Sequence, residues 1–485
     1  MAYEHGITIL ENPTSIQQPV EALSSIQVVF GTAPINLAED MSLVVNEPIL
    51  ARTFDEAKRK LGYSDDWEKY TLCQSMDATF KQMKVSPIVF VNVLDPATHK
   101  EAVASLLIPV VNQESKIEQE GILLGSLVVK SSDGLTTYIK DTDYIANFNT
   151  KGHVIISVLS GGSISGTELQ VDFDKLNPTA VTNADIIGGY DSATNTYTGV
   201  ETVTLIYPKL NVVPTILLAP GFSHHSEVGA IIVAKSQKIN GSFNASTVLD
   251  VTGVTKENAI TNKETNLYDD KSSIICWPKA KIRGKTYWYS AIVAARMART
   301  DAENESVPFK SPSNKRISIS AMVNDNGQEV FLDQVQGNVL NAKGIITAVN
   351  MNGWRIWGNN TAAFDADAGE VMDPKDRFIA VRRMFDWWGN SFIQNYFDKV
   401  DDSTNYRLIE SIVDSENIRA NGFQARGQIA GARIEFREAD NPTSQILDGK
   451  IQFIQKIGFF TPAEEIVNVL EFDPTILTDS LFGGE

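Results

Sequence analysis

Short apolar runs separated by helical spacing dominate the first hundred residues of the chain. Residues 26–30 and 85–93 are rich in apolar residues, as expected of buried strands. Residues 54–60 and 71–83 have the periodicity of helices. Strands that alternate with helices predict an α/β unit with a parallel sheet.

The pattern changes after Asp95, where short alternating runs replace the helical spacing. Turn residues separate these runs, which cover residues 123–130, 136–139, 153–159 and 169–173. Several short strands with turn signals between them are typical of an all-β unit. We therefore predict a sandwich-like or barrel-like β module at residues 99–189, inserted into the α/β unit.

The α/β pattern returns near residue 200. It predicts strands at residues 215–221, 246–251 and 273–277, and helices at residues 228–237 and 290–300. The prediction is a discontinuous α/β core domain, formed by residues 21–98 and 190–345 on either side of the β module.

A third pattern combines two long helices with antiparallel strands. It predicts strands at residues 354–357, 428–437 and 450–460, and helices at residues 378–400 and 405–420. Helices and strands that are segregated in this way are typical of an α+β domain. We therefore predict a C-terminal α+β domain at residues 346–461.

Both ends of the chain are expected to be extended arms, at residues 1–20 and 462–485. Ile7 and Ile9 alternate with polar residues in the first arm, as in a short strand. The second arm contains a predicted strand at residues 465–472, with apolar residues Ile466, Val467, Val469 and Leu470. A lone strand at a chain end is not stable in water, so it must pair with a sheet elsewhere.

The acidic charge of the chain is concentrated at its two ends. The 485 residues carry a net charge of −18, from 42 basic and 60 acidic side chains. Residues 1–51 and 457–485 contain six acids each and no Lys or Arg, so the ends carry −12. Acidity argues against nucleic acid or an anionic membrane as the main partner. The ends are either solvated acidic tails or segments that bind a basic surface.

No complete catalytic or cofactor motif occurs. Gly284-Lys285-Thr286 resembles the end of a phosphate-binding loop, but Lys279 stands where that loop needs a glycine. The pair His224-His225 is expected to lie in a loop without a chemical role. Cys73 and Cys276 are expected to be buried small apolar groups. We therefore expect no catalytic residue, cofactor or metal site, no secretory signal and no transmembrane segment.

An aromatic cluster lies on the predicted helix at residues 378–400. The stripe Phe385, Trp388, Phe392 and Tyr396 has the spacing of a core face. The other face of this helix, with Trp387, Arg382 and Arg383, is expected to meet another chain, because Trp and Arg are favoured at interfaces.

Several segments together resemble the contractile tail sheath proteins of tailed bacteriophages. Residues 290–301 are similar to the family's AGxxARTD stretch, 307–314 to its SPAN segment and 378–383 to its INVRR helix entry. Residues 336–346 resemble its LN…GIN strand, and 450–454 and 461–466 its closing hairpin. Residues 357–361 resemble its WGxRT motif, with Asn360 where Arg is usual. The motifs follow the family's order over roughly 200 residues.

The resemblance implies a non-enzymatic structural protein of the virion tail, made in the cytoplasm of the bacterial host. Sheath subunits form six-membered rings, stacked helically around a tail tube. Contraction of the sheath drives the tube through the target envelope. The implied partners are further copies of the chain, the tail tube protein, and baseplate and tail terminator proteins, with no nucleic acid and no membrane insertion. The arms of each subunit add strands to the C-terminal sheet of a neighbour.

Four basic residues of the C-terminal domain are candidates for contacts with an acidic tube or with acidic arms: Lys375, Arg377, Arg419 and Arg426. Ordinary solvated surface charge is the alternative for each of them. Two alternatives to a phage sheath also stay open. One is the sheath of a phage-tail-like bacteriocin or another contractile injection system, and the other is an α/β hydrolase-type enzyme.

Overall fold

The computed structural model describes residues 20–21, 23–369 and 371–483, so Ile7, Ile9 and nearly all of the predicted N-terminal arm lie outside it. Its centre is an eight-stranded sheet. The six inner strands run parallel, and the strand at each edge runs antiparallel to its neighbour. In spatial order the strands are Trp354–Trp357, Ile345–Asn350, Ser273–Cys276, Ser246–Asp250, Ile216–Leu218, Gln27–Gly31, Ile88–Asn92 and Pro48–Ala51.

The inner strands are predominantly apolar because helices cover both faces of the sheet. Val28, Val29 and Phe30 are fully buried, as is most of Ile88–Asn92. The surrounding helices are Phe54–Leu61, Leu72–Met76 with its π-helical extension Asp77–Gln82, Asn183–Ile187, Val203–Leu210, Ser226–Ser236, Lys256–Thr265, Tyr289–Ala302 and Gln334–Asn341.

The predicted mixed α/β character is confirmed, although several elements of the core differ from the prediction. The central sheet includes Trp354–Trp357, so it continues past residue 345, where we expected the core domain to end. The helix Lys256–Thr265 was not predicted because its sequence is mostly polar. Its N-terminus is nevertheless defined locally by a capping box between Thr255 and Asn258.

Two three-stranded antiparallel sheets form the inserted region. One contains Glu114–Ile117, Val154–Val158 and Tyr144–Phe148, and the other contains Lys100–Pro109, Glu168–Leu176 and Val128–Ser131. They enclose a separate core that includes Ile156, Leu169 and Val171. The predicted strand at 136–139 is wrong, because Thr137 forms only an isolated bridge with Lys130. The long strand Lys100–Pro109 was missed because most of its side chains are exposed.

The C-terminal region consists of helices around one hairpin. The helices are Pro374–Arg377, Ile379–Tyr396, Tyr406–Ala425, Thr443–Leu447 and Pro474–Phe482, and the hairpin strands are Gly431–Phe436 and Phe453–Gly458. Trp388, Met384 and Ala420 form a small core beneath the hairpin. Trp388 is buried as the aromatic stripe predicted, and Trp387 packs edge-on against Phe423.

Smaller strands complete the fold. Val20–Glu21 pairs with Val85–Ser86, Gly189–Asp191 pairs with Thr196–Thr198, and Lys279–Ile282 lies between Lys285–Tyr287 and Ala321–Val323. Cys73 and Cys276 are buried and unpaired, as expected. Among the described residues, no helix has the length and apolar character needed to cross a bilayer.

Candidate assembly surfaces

The C-terminal hairpin has one buried face and one exposed face. We call Gly431–Phe436 the covered strand, because the helix Tyr406–Ala425 packs beside it, and Phe453–Gly458 the open strand. Ala432 and Ile457 face the core under Trp388. Within the described chain, no strand pairs with the outer edge of the open strand. Its backbone donors and acceptors there are therefore ready to pair with another segment.

The chain beyond the hairpin leaves the body of the protein with its apolar residues exposed. Ile466 and Leu470 are each 87% exposed, and Val467 and Val469 nearly as much. The strand predicted at residues 465–472 is not formed within the single chain, because no neighbouring strand pairs with it there. A helix that we did not predict, Pro474–Phe482, follows behind the N-cap Asp473 and is also exposed.

Glu464 anchors the root of this C-terminal segment on its own subunit. Arg377 forms an ion pair with Glu464, and Asn359 Nδ2 lies 3.4 Å from Glu464 Oε1. Arg377 Nε in turn donates to Asn360 Oδ1 at 3.1 Å. The segment crosses the rim of a cavity of about 640 Å³ at this point. Arg377 therefore contacts the beginning of the acidic arm of its own chain.

The other three candidate basic residues also have acidic partners in their own chain. Lys375 Nζ lies 2.6 Å from Asp373 and 3.0 Å from Asp376. Arg426 lies 3.4 Å from Glu305. Arg419 binds Glu416 at 2.8 Å, and its guanidinium lies 4.0 Å from the centre of the Trp388 ring. Arg419 thus helps to hold the helix Tyr406–Ala425 against the aromatic core.

A buried ion pair joins two of the motifs on which the sequence resemblance rests. Arg383 is 5% exposed and binds Asp301, which is fully buried at the end of the helix Tyr289–Ala302. Ser25 Oγ accepts from Arg383 Nη2 at 2.8 Å and donates to Asp301. The expectation that Arg383 faces another chain is therefore wrong. Its charge is satisfied inside the subunit, where it links the C-terminal helix, the core and the start of the chain's first core strand.

Comparisons with known proteins agree with this architecture. No protein-family profile matches the chain. Over 510 residues it is 26% identical to the tail sheath protein of Burkholderia phage BcepMu, with 99% of each chain covered. Over nearly its whole length the chain is therefore similar to a contractile tail sheath protein.

Solved structures share the fold of the chain. A chain of the PVC extracellular contractile injection system, in a sheath complex in the contracted state, matches with a TM-score of 0.57 and 13% identity. The match covers 98% of this chain and 99% of that chain. A chain of the anti-feeding prophage baseplate matches with a TM-score of 0.58 and 12% identity, over 98% and 100% of the two chains. Both matches extend over nearly the whole chain, so the fold is shared throughout.

At the crevice where α/β enzymes bind ligands, the backbone of the chain is in close contact with a neighbouring side chain. Ligands in such folds bind beyond the carboxyl ends of the strands, where the strand order reverses. Here the reversal lies between Gln27–Gly31 and Ile216–Leu218. A Cβ atom on Gly31 would lie 2.2 Å from Thr71 Oγ1, so the backbone of the strand end and the Thr71 side chain are in close contact. Thr71 Oγ1 also accepts from the Thr32 amide at 3.2 Å.

Asp250 is the buried acid nearest this crevice, and its partners are serines. It accepts from the Ser290 amide at 2.9 Å and from Ser290 Oγ at 2.5 Å. His224 stacks on Trp288, with ring centroids 4.6 Å apart, and burial lowers its pKa to about 4. Within the part of the chain that the structure describes, no histidine hydrogen-bonds to Asp250 or Ser290, so the geometry of a catalytic triad is missing.

Asp250 gives the folded chain a pH-dependent stability. Burial raises the pKa of Asp250 to about 6 in the folded subunit, against an ordinary value of about 3.9. Between these values the folded state holds a proton that the unfolded state has lost, so this contribution to stability falls as pH rises from about 4 to about 6. It amounts to about 3 kcal/mol at two pKa units. Asp250→Asn is expected to remove it.

Urea unfolding of the unassembled subunit at pH 4 and pH 7 measures this effect. From pH 4 to pH 7, the unfolding free energy of the native chain should fall by about 3 kcal/mol relative to that of the Asn variant. Asp402→Asn, in an exposed loop, is the matched control and should behave as the native chain does. Equal pH dependence in all three proteins would show that Asp250 does not titrate in this range.

Proposed function

We propose that this protein is the sheath subunit of a contractile phage tail, which polymerises helically around the tail tube and shortens to drive the tube through the target envelope. The observation that carries the proposal is the C-terminal segment, where an apolar run is exposed in a chain whose hairpin has an unpaired edge. If the apolar run of one copy pairs with the hairpin edge of a neighbouring copy, the added strand pairs the free backbone groups and buries the apolar side chains.

The side chains of the C-terminal arm alternate in a way that suits a strand added to this hairpin. Ile466, Leu470 and Phe472 lie on one side of an extended chain, and Glu465, Val467, Val469 and Glu471 lie on the other. On the hairpin, the face with Ala432 and Ile457 is packed on the core. The first set of arm residues would extend this apolar face. The second set would then lie on the exposed face.

Charge on the exposed face supports the same arrangement. Arg433 and Lys456 lie directly opposite each other on the two hairpin strands, and both side chains are exposed. Like charges in opposed positions destabilise a sheet. Glu465 and Glu471 of an added strand would bring negative charge to this face. The acidic end of one subunit therefore complements the hairpin of another.

We further propose the finer organisation that the family resemblance implies. Subunits form six-membered rings, and the assembled sheath contacts the tail tube, the baseplate and the tail terminator. The N-terminal arm, including Ile7 and Ile9, adds a second strand to a neighbour, and synthesis takes place in the cytoplasm of the bacterial host. The chain comprises an α/β core, an inserted β module at residues 99–189, a C-terminal domain and two arms.

Negative-stain electron microscopy of the purified protein tests the main proposal. Concentrated subunits should form hollow, striated tubes, because a head-to-tail interface whose rotation does not close produces a helical polymer. Raising the salt concentration should change the extent of assembly more than the unfolding free energy of the subunit, since exposed charges are screened first. Monodisperse monomers at all protein and salt concentrations would contradict the proposal.

A further inference from the structure

The guanidinium of Arg377 is held from several sides at the root of the C-terminal segment. Its Nε donates to Asn360 Oδ1 at 3.1 Å, and its terminal nitrogens form the ion pair with Glu464. Its centre lies 4.4 Å from the centre of the Phe364 ring and 4.5 Å from that of the Phe378 ring. A planar guanidinium that stacks on rings and donates in two directions has little rotational freedom. Arg377 therefore holds Glu464 at a defined position.

The chain around Arg377 is a firm support for this contact. Two backbone hydrogen bonds, of 2.8 and 2.9 Å, join residues 359–361 to residues 377–379. Asn360 is 5% exposed, and its Nδ2 donates to the Asn341 carbonyl at 3.2 Å. The guanidinium is thus anchored where the chain passes from the central sheet to the C-terminal helices.

The contact at Glu464 also defines which side chains of the segment face the body. Successive side chains of an extended chain point to opposite sides. Ile466 lines the cavity of about 640 Å³ together with Glu464, whereas Glu465 and Val467 do not. The alternation that begins at Glu464 therefore sets which side of the segment is turned outward.

We propose that Arg377 is a positioning residue, which fixes the direction in which the C-terminal segment leaves the free subunit and the side that the segment turns outward. The inference rests on the proposed function and deepens it, because a segment that is already oriented loses less conformational entropy when it binds another copy. An ion pair at the surface contributes little to folding, so the role of this pair lies in orientation.

The size of the expected effect follows from the length of chain that is free to move. Phe459 is the last residue before the segment that packs on the core around Trp388. With Glu464 held, residue 467 is three positions from a fixed point, and with Glu464 released it is eight positions from Phe459. The excursion of a flexible chain grows as the square root of its length, so that of residue 467 should increase about 1.6-fold.

Four variants separate orientation from charge and from stability. Arg377→Gln and Glu464→Gln each remove the ion pair, and Glu464→Gln leaves the support around Arg377 untouched. Arg377→Lys keeps the charge but lacks the planar fork that contacts Asn360 and Glu464 together. Arg437→Gln is the matched control, because it breaks an exposed pair with Asp440 in the connection between the hairpin strands, away from the segment.

The distance between two spin labels in the full-length subunit, kept below the concentration at which it assembles, measures the orientation. The labels are attached at Ser318→Cys on the body and at Val467→Cys on the segment, which are both exposed positions. Cys73 and Cys276 do not compete for the label, because burial raises the pKa of both thiols, that of Cys73 to about 12.

We expect the distance distribution to be about 1.6-fold broader in Arg377→Gln and Glu464→Gln than in the native protein, intermediate in Arg377→Lys and unchanged in Arg437→Gln. The effective concentration of a tethered segment falls as the −3/2 power of the free length, which gives a drop of about fourfold. The critical concentration for sheath formation, from light scattering of the unlabelled proteins, should therefore rise about fourfold in the same two glutamine variants.

The outcomes distinguish this proposal from the proposed function. Equal widths in the native protein and in Glu464→Gln would overturn the positioning role, as would equal broadening in Arg437→Gln, which would indicate general loosening. Broadening without a change in the critical concentration would overturn its part in assembly. If the native protein forms no sheaths at any concentration, the proposed function fails, while the distance distributions still decide whether Arg377 positions the segment.

Discussion

Removal of residues 462–485 is expected to leave a folded subunit that no longer assembles into sheaths. The described part of this segment contributes no buried side chain to the body. Its clearest anchor is the ion pair between Arg377 and Glu464, and surface pairs of this kind contribute about 0–1 kcal/mol. The unfolding free energy should therefore change by less than about 1 kcal/mol, while sheath formation in electron micrographs is lost.

A substitution pair tests whether the arm acts as a strand and not merely as an acidic tail. Asn468→Pro with Val469→Pro keeps the length and charge of the arm but removes two successive N–H groups, of which one must point to the hairpin edge. Assembly should be lost as in the truncation. Asn468→Thr with Val469→Thr is the control, because threonine suits strands and keeps both donors. Normal sheaths from the truncated chain or from the proline variant would contradict strand addition.

Replacement of Asp301 by alanine is expected to lower the unfolding free energy by about 3–5 kcal/mol. The change leaves the Arg383 guanidinium buried without its counterion, and the uncharged hydroxyl of Ser25 cannot neutralise it. A loss of this size is a large fraction of the stability of a typical protein. Denaturant unfolding of the unassembled subunit measures it directly, and sheath yield should fall with it.

Two further variants identify the cause. Asp301→Leu with Arg383→Met removes both charges and should be much less destabilising than the sum of the single changes, because no buried charge is left unpaired. Glu39→Ala breaks the exposed pair with Arg59, at 3.1 Å, and should cost under about 1 kcal/mol. A cost for Asp301→Ala as small as that for Glu39→Ala would show that the buried pair does not hold these elements together.

Most strands of the central sheet were predictable, because buried strands have an apolar local composition; Pro48–Ala51 and Ile345–Asn350 were not predicted from their pattern. Val28, Val29 and Phe30 form an unbroken apolar run, which only a strand covered on both faces accommodates. Strands with mixed composition were not predictable in the same way. Lys100–Pro109 is a long strand with mostly exposed side chains, so its partner Glu168–Leu176 and not its own pattern defines it.

Some features of the assembly surfaces were also predictable from sequence, and others were not. The exposed apolar residues Ile466 and Leu470 were found from sequence, because a lone apolar run at a chain end lacks a partner in any fold. The hydrogen bond that Asn417 Oδ1 accepts from the Ile434 amide was not predicted, since an asparagine within a helix carries no local signal of a contact with a strand that follows it in the chain. The pairing of Arg383 with Asp301 was also missed, although each residue belongs to a recognised motif.

The mixed α/β character, the concentration of acid at the chain ends and the resemblance to tail sheath proteins could be predicted from the amino-acid sequence, because they depend on composition and on the order of motifs. Which charges are buried, which hairpin strand is covered by a helix and where the C-terminal segment leaves the body are evident only in the folded chain. Those features depend on contacts between residues 82 positions apart, as for Asp301 and Arg383, or 17 apart, as for Asn417 and Ile434. Such contacts exist only once the chain has folded, so periodicity and spacing carry no record of them.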